Sequence, residues 1–228
     1  MNITIIANGD FPHAAYPLSF LKEAGQVVCC DGAYEKYLRW LCSLPAPSSC
    51  HLTVVGDGDS LPSDNLDIFK GYGIHPQWIH IAEQETNDLT KAVTHIIRQT
   101  RQEGVPDREI AITLLGATGL REDHTLGNIS LLGRYAEEYP EIEFRMVSDY
   151  GTFRPVRGRM RLVSFPGQQV SIFSLTPNRP VTVEGLCYPI AGRPLRQWWE
   201  GTLNEAQGDS FTVEGGLLIV YQTPILPD

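Results

Sequence analysis

The stretch Leu52-Thr53-Val54-Val55-Gly56-Asp57-Gly58-Asp59-Ser60 decides how this chain is read. A short apolar and β-branched strand runs straight into a turn that carries two acids, each with glycine beside it. If strand geometry persists through the turn, Asp57 and Asp59 project to one side with Cα atoms roughly 6.5–7 Å apart. Carboxylates placed together repel unless a cation neutralises them, and Mg²⁺ characteristically takes one or two carboxylates with phosphate oxygens. A solvated Asp/Gly turn has the same composition, so the flanking sequence has to separate the two readings.

Outward from that stretch the chain alternates. Towards the N-terminus, strands are expected at Ile3–Ala7 and Val27–Cys30, with helices at Tyr16–Ala24 and Ala33–Leu44. Towards the C-terminus come a helix at Pro62–Lys70, a strand at Gln77–Ile81, a helix from about Asn87 to Gln102, a strand at Ile110–Leu115, a helix from about Asp123 to Glu138, and a strand at Ile142–Val147. Strands and helices alternating at these lengths predict an α/β domain with a doubly wound, mostly parallel sheet. After Ser148 the helical period disappears. Short β-rich runs follow, Met160–Ser164, Val170–Leu175, Val181–Leu186 and Leu217–Tyr221, separated by Gly and Pro, and they predict an all-β, antiparallel, sandwich-like domain. The expected boundary near Asp149–Gly151 gives domains of 1–149 and 150–228.

The chain has 228 residues, 42% of them hydrophobic and 20% charged, which is an ordinary globular composition. A net charge of −9 argues against a nucleic-acid partner and means that an anionic ligand needs a metal or a local basic group. The N-terminus MNITIIANGD lacks the basic and apolar regions of a signal peptide, and no apolar run is long enough to span a bilayer, so a cytoplasmic protein without a membrane partner is expected. The five cysteines form no CxxC pair and the six histidines no HExxH, which disfavours disulfide and zinc frameworks.

In an open α/β sheet, ligands bind beyond the carboxyl ends of the strands. The residues there are Asn8-Gly9-Asp10, Asp31-Gly32, Asp57-Gly58-Asp59, Glu83 to Asp88, and Gly116 to Asp123. Acids and glycines thus crowd one sheet edge, whereas Pro45–Ser49 and Gly104–Arg108 on the other edge lack that signature. Neither GxxxxGK[ST] nor a proper GxGxxG occurs, so phosphates would arrive with Mg²⁺. Asp88 and Lys91, one helical turn apart, offer a carboxylate for metal and an ammonium for phosphate. Gly116-Ala117-Thr118-Gly119-Leu120-Arg121-Glu122-Asp123-His124 is a glycine-rich loop that delivers Arg121 and opens a helix whose free N–H groups attract anions. Asn128 shares a helix face with His124. Two features read as structural: the basic run Arg154, Arg157, Arg159, Arg161 as a solvated hairpin face, and Trp198-Trp199 as strand residues of which at most one serves a site.

With CDGA (Cys30–Ala33), GDGDS (Gly56–Ser60), NDLTKA (Asn87–Ala92), GATGLREDHTLGN (Gly116–Asn128), GLCY (Gly185–Tyr188) and GTLNE (Gly201–Glu205) in that order, the sequence resembles the thiamine pyrophosphokinase family across its length. It departs from the family at Gly58, where an aromatic is common, at Asn87 for Thr, at Leu120 for a second Gly, and at Leu203 for Ser. The resemblance implies Mg²⁺-dependent transfer of pyrophosphate from ATP to the thiamine hydroxyl, giving thiamine diphosphate and AMP. It implies an acidic reaction centre of Asp31, Asp57, Asp59, Asp88 and Asp123, with metal held by Asp57, Asp59 and Asp88. Asn8, Gly9, Lys91, Gly116, Arg121, His124 and Asn128 would lie on ATP. Tyr188 would stack on thiamine, with Thr202 and Asn204 nearby, and the family's homodimer would share each site between subunits. A cationic thiazolium suits an aromatic face among carboxylates. The competing readings are a pyrophosphokinase for another hydroxymethyl heterocycle such as a pterin, and a non-catalytic nucleotide or thiamine sensor.

Overall fold

The structure, a computed structural model, describes residues 1–45, 51–56, 76–83 and 85–224. The chain forms two compact units, Met1–Thr125 with Glu141–Glu143, and Leu126–Pro140 with Phe144–Asp228.

In the first unit the strands are β1 (Asn2–Ile6), β2 (Gln26–Cys30), β3 (His51–Gly56), β4 (Gln77–His80) and β5 (Ala111–Leu115). All pair in parallel, in the order β5-β1-β2-β3-β4. Their continuous apolar runs are buried, Ile3 to Ile6 and Gln26 to Cys30 entirely, as a parallel sheet covered on both faces requires. Helices α1 (Ala15–Lys22) and α2 (Ala33–Cys42) connect the first strands, and α3 (Asp88–Gln102) precedes β5. Helix α3 buries Leu89, Ala92, Val93, Ile96, Ile97 and Thr100, a stripe at helical spacing. Its start is fixed by Asn87, whose side chain accepts the Thr90 N–H at 2.9 Å. The sheet steps outward from β1 to β4 and then returns to place β5 beside β1. The strand order therefore reverses between β1 and β5, and in open α/β sheets the ligand crevice opens at such a point. The helix expected at Pro62–Lys70 lies outside the described residues.

Helix α4 (Glu122–Glu138) begins in the first unit and continues in the second. The second unit is built on two long strands, β7 (Gly151–Val163) and β12 (Ser210–Gln222), antiparallel along their length. On its other edge β12 pairs first with β9 (Pro180–Glu184) through Thr212–Glu214, then with β8 (Gln169–Ser174) through Leu218–Gln222. A register shift between Gly215 and Leu217 separates the two pairings, and a bulge of this kind lets one strand serve two sheets. Strand β6 (Glu143–Ser148) pairs with β7, β10 (Ile190–Pro194) with β9, and β11 (Asn204–Glu205) with β8, all antiparallel. The core between them holds Val156, Ile172, Val183, Phe211, Val213 and Leu218. The strands from β7 onward form the expected antiparallel, sandwich-like β part, and the unit also takes in Leu126–Pro140 and Phe144–Ser148.

Strand β7 begins nine residues before the expected Met160, because Pro155 and Gly158 read as punctuation while the fold absorbs them into a long paired strand. Arg157, Arg159 and Arg161 are its exposed alternate residues. They meet the Ala136 carbonyl, the Glu214 and Glu184 carboxylates, and the Ser210 hydroxyl. The solvated-face reading holds for these three, whereas Arg154 is partly buried, with its Nε shielded from solvent. Trp198 and Trp199 occupy a 3₁₀ turn (Trp198–Gly201) and not a strand. Trp198 packs edge-on against Phe173, with ring centroids 5.6 Å apart, and Trp199 is exposed.

Candidate active site

At the reversal point the loops after β1 and β5 are joined by their backbones. Gly9 N–H donates to the Gly116 carbonyl at 2.7 Å and Asp10 N–H to the Thr118 carbonyl at 2.9 Å. A Cβ on Gly9 would stand 2.3 Å from the Gly116 oxygen, so only glycine permits this approach. Gly116 itself has φ +60, a conformation that glycine adopts without strain. The Asn8 side chain lies against Gly32, where a Cβ would come 2.7 Å from Asn8 Nδ2. The glycines of the sequence motifs therefore bring Asn8, Gly9, Gly32 and Gly116 together.

Asp31 follows β2 at φ +37, buried to 4% exposure, with its N–H donating to the Val55 carbonyl at 3.0 Å. Its Cβ sits 2.8 Å from the point a side chain on Gly56 would occupy, which places Asp31 at the end of β3, where Asp57 follows. Asp57 and Asp59, and Gly58 between them, lie outside the described residues. Asp88 opens α3, and its Oδ1 accepts from Lys91 Nζ at 3.1 Å. The Lys91 side chain is only 3% exposed. Burial, and then the carboxylates of Asp88 and Asp31, push the Cys30 thiol up. Two carboxylates, one after β2 and one opening α3, thus act on one buried sulfur. Glu83 shapes the approach to α3. Its carboxylate accepts from the Thr86 hydroxyl and from the Glu85 and Thr86 N–H groups, and these bonds, the Thr86 hydroxyl foremost, hold it below the usual carboxylate range with a smaller contribution from Lys91.

Arg121 forms a two-pronged pair with Asp123, Nε to Oδ1 at 3.1 Å and Nη2 to Oδ2 at 2.6 Å. The pair raises the guanidinium's proton affinity and lowers that of the carboxyl. Both groups are exposed, so water screens the pair. Glu122 and Asp123 occupy the first turn of α4. The anion-attracting helix end expected from the sequence is therefore already served by its own acids. His124 is exposed on the same turn, and Asn128, in the second unit, is buried.

In the second unit Tyr188 is 69% exposed. Asn204 holds its backbone: Oδ1 accepts the Tyr188 N–H at 3.0 Å and Nδ2 donates to the Tyr188 carbonyl at 2.7 Å. Oδ1 also accepts the Glu205 N–H at 2.9 Å. Asn204 is buried and spends most of its hydrogen-bonding capacity on presenting Tyr188, a role the sequence did not indicate. Thr202 Oγ1 donates to the Trp199 carbonyl at 2.9 Å.

Leu120 and Leu203, two of the departures from the family pattern, have φ +62 and +59 and are 71% and 83% exposed. Left-handed backbone costs a non-glycine residue about 1–2 kcal/mol, part of which glycine returns as unfolded-state entropy. Leu120→Gly and Leu203→Gly are each expected to stabilise the protein by about 0.5–1 kcal/mol, read as a rise in melting temperature. A fall in either case would mean that the exposed leucine makes a stabilising contact.

Among the described residues no three His, Cys, Asp or Glu side chains gather as a ready metal nest. Asp31 and Asp88 nevertheless supply hard oxygen donors of the kind that suit Mg²⁺, with Asp88 also paired to Lys91. Lys36, on α2, escaped the sequence reading because a lysine on a helix face reads as solvated. Its Nζ donates to the Asn8 carbonyl at 3.1 Å and the Gly9 carbonyl at 2.7 Å.

Known proteins share the fold. Residues 18–144 match the family model for the thiamin pyrophosphokinase catalytic domain, and residues 151–221 match that for the thiamin pyrophosphokinase substrate-binding domain. Thiamine pyrophosphokinases 1 and 2 of Arabidopsis thaliana are each 28% identical over 150 residues, 63% of this chain. That match spans 53% of each, about half the length of these curated relatives. Among solved structures, thiamin pyrophosphokinase from Candida albicans superposes with TM-score 0.78 at 18% identity, over 97% of this chain and 88% of that one. Thiamine pyrophosphokinase from Bacillus subtilis gives 0.72 at 21%, over 98% and 99%. At these identities the superpositions establish the fold. With the catalytic-domain model alone covering more than half of the sequence, and the substrate-binding model most of the β unit, the chain belongs to the thiamin pyrophosphokinase family.

Proposed function

We propose that this chain transfers the pyrophosphoryl group of ATP to the hydroxyl of thiamine, giving thiamine diphosphate and AMP. The observation that carries the reading is the gathering of Asp31, Asp88 and the buried Lys91 at the strand ends beside a glycine-locked nucleotide crevice, in a chain of this family. Asn8, Gly9 and Gly116 line the nucleotide loop, with His124 and Asn128 assigned to the same ligand. Lys91 and Arg121 draw in and orient the phosphates, each giving up part of its hold on a carboxylate. Asp57, Asp59 and Asp88 would hold Mg²⁺, which would supply charge neutralisation at the phosphate oxygens. The thiamine hydroxyl attacks the β-phosphorus in line, and one of the aspartates of the Asp31, Asp57, Asp59, Asp88 and Asp123 set orients its proton. Positioning and fixed charge carry most of the rate.

Tyr188, presented by Asn204 and exposed, offers a face to the thiazolium cation, with Thr202 beside it. A cytoplasmic homodimer in which one subunit's Tyr188 meets the other's acidic edge belongs to the same proposal. Among the described residues no helix is long and apolar enough to cross a membrane. A coupled assay for AMP, run with ATP and thiamine with and without Mg²⁺, tests the reading. AMP formation that needs all three is the expected result. Release of AMP with a hydroxymethyl pterin in place of thiamine would shift the substrate, and ATP binding without any AMP would turn the chain into a sensor.

A further inference from the structure

Both cations that the sequence marks for phosphate are already neutralised, Lys91 by Asp88 at 3.1 Å and Arg121 by Asp123 at 2.6 Å. Lys36 is not. It reaches from α2 to the loop after β1 and is held there by the two main-chain carbonyls of Asn8 and Gly9. Among the described residues no carboxylate comes within ion-pair distance of it. An ammonium has three N–H donors, and the two carbonyls occupy two of them. Carbonyl oxygens satisfy the donors without cancelling the charge. Among the described residues the third donor meets no acceptor, and the charge, with Asp10 nearby but outside ion-pair distance, sits in a half-buried position where water screens less than at the open surface. The place is the point where the strand order reverses, with Gly9 tied from its other side to Gly116.

We propose that Lys36 is a further phosphate-binding residue, which holds an oxygen of the nucleotide's phosphate chain while it fixes the Asn8–Gly9 loop. The inference rests on the reading of the chain as an ATP-dependent pyrophosphokinase and adds to it a cation that no motif indicates. Partial desolvation lowers the proton affinity of Lys36, and the nearby Asp10 charge opposes this. An arriving phosphate acts in the same sense as Asp10 and keeps the ammonium charged.

The test uses the whole chain, with calorimetric titrations of ATP and of adenosine in Mg²⁺ buffer alongside melting temperatures. Lys36→Gln retains an N–H for the loop carbonyls without the charge, Lys36→Met removes both, and Lys36→Arg keeps the charge. ATP affinity is expected to fall about tenfold or more in Lys36→Gln and Lys36→Met and to recover in Lys36→Arg, as loss of one charge-assisted contact implies. Adenosine affinity is expected to stay within twofold in Lys36→Gln, and ATP binding to that variant to depend less on salt. Equal losses for ATP and adenosine in Lys36→Gln would reduce Lys36 to a loop brace, and unchanged ATP affinity would remove it from the site; either overturns the proposal and leaves the pyrophosphokinase reading standing. An unsubstituted protein that binds no ATP overturns both.

Discussion

Replacing Asp31 with asparagine is expected to lower AMP formation by about 10²–10³-fold, the cost of removing one pre-positioned charge from a reaction centre. The substitution is clean for a structural reason. Asp31 sits at φ +37, and asparagine tolerates the left-handed region as aspartate does, so the backbone turn that hands β2 to α2 survives. The bonds between the Asp31 N–H and Val55 and between the Tyr34 N–H and the Asp31 carbonyl belong to the main chain and persist. Loss of charge near Asp88 relieves repulsion, and the melting temperature is expected to hold. Turnover within threefold of the parent would remove Asp31 from the reaction centre.

The second large effect is on stability. Gly9→Ala is expected to cost about 3 kcal/mol or more, from steric displacement together with loss of two backbone hydrogen bonds. For a chain of this size that is roughly 6–12 °C in melting temperature. The new Cβ would meet the Gly116 and Thr118 carbonyl oxygens at 2.3 and 2.7 Å, and these are backbone atoms that move only if the two loops part. Gly104→Ala is the control. At φ +82 with nothing within 4 Å of the added atom, it reports backbone strain alone, about 1 kcal/mol. ATP binding should weaken in Gly9→Ala and not in Gly104→Ala. Similar melting temperatures for the two variants would show that the β1 and β5 loops are not locked as described.

Sequence alone determined the α/β unit and the β unit after it, because strand and helix periods are local properties and the apolar runs Ile3–Ala7, Val27–Cys30 and Ile110–Leu115 match strands buried in a parallel sheet. It also placed Asn8, Asp31, Asp88 and Gly116 at strand or helix ends, since the punctuation by glycine and acid that marks such ends is written in order along the chain. Register and partners were not legible in this way. Pro155 and Gly158 hid most of β7, whose pairing is supplied by β12 some sixty residues later. The 3₁₀ turn at Trp198–Gly201 has no long-range period to announce it. Tertiary structure alone decided that Asn204 spends its amide on Tyr188 and that Lys36 is held by Asn8 and Gly9. Each of these is a hydrogen bond between atoms whose distance is set by packing, and a side chain's partner is a property of the fold that brings it there, not of its neighbours in the sequence.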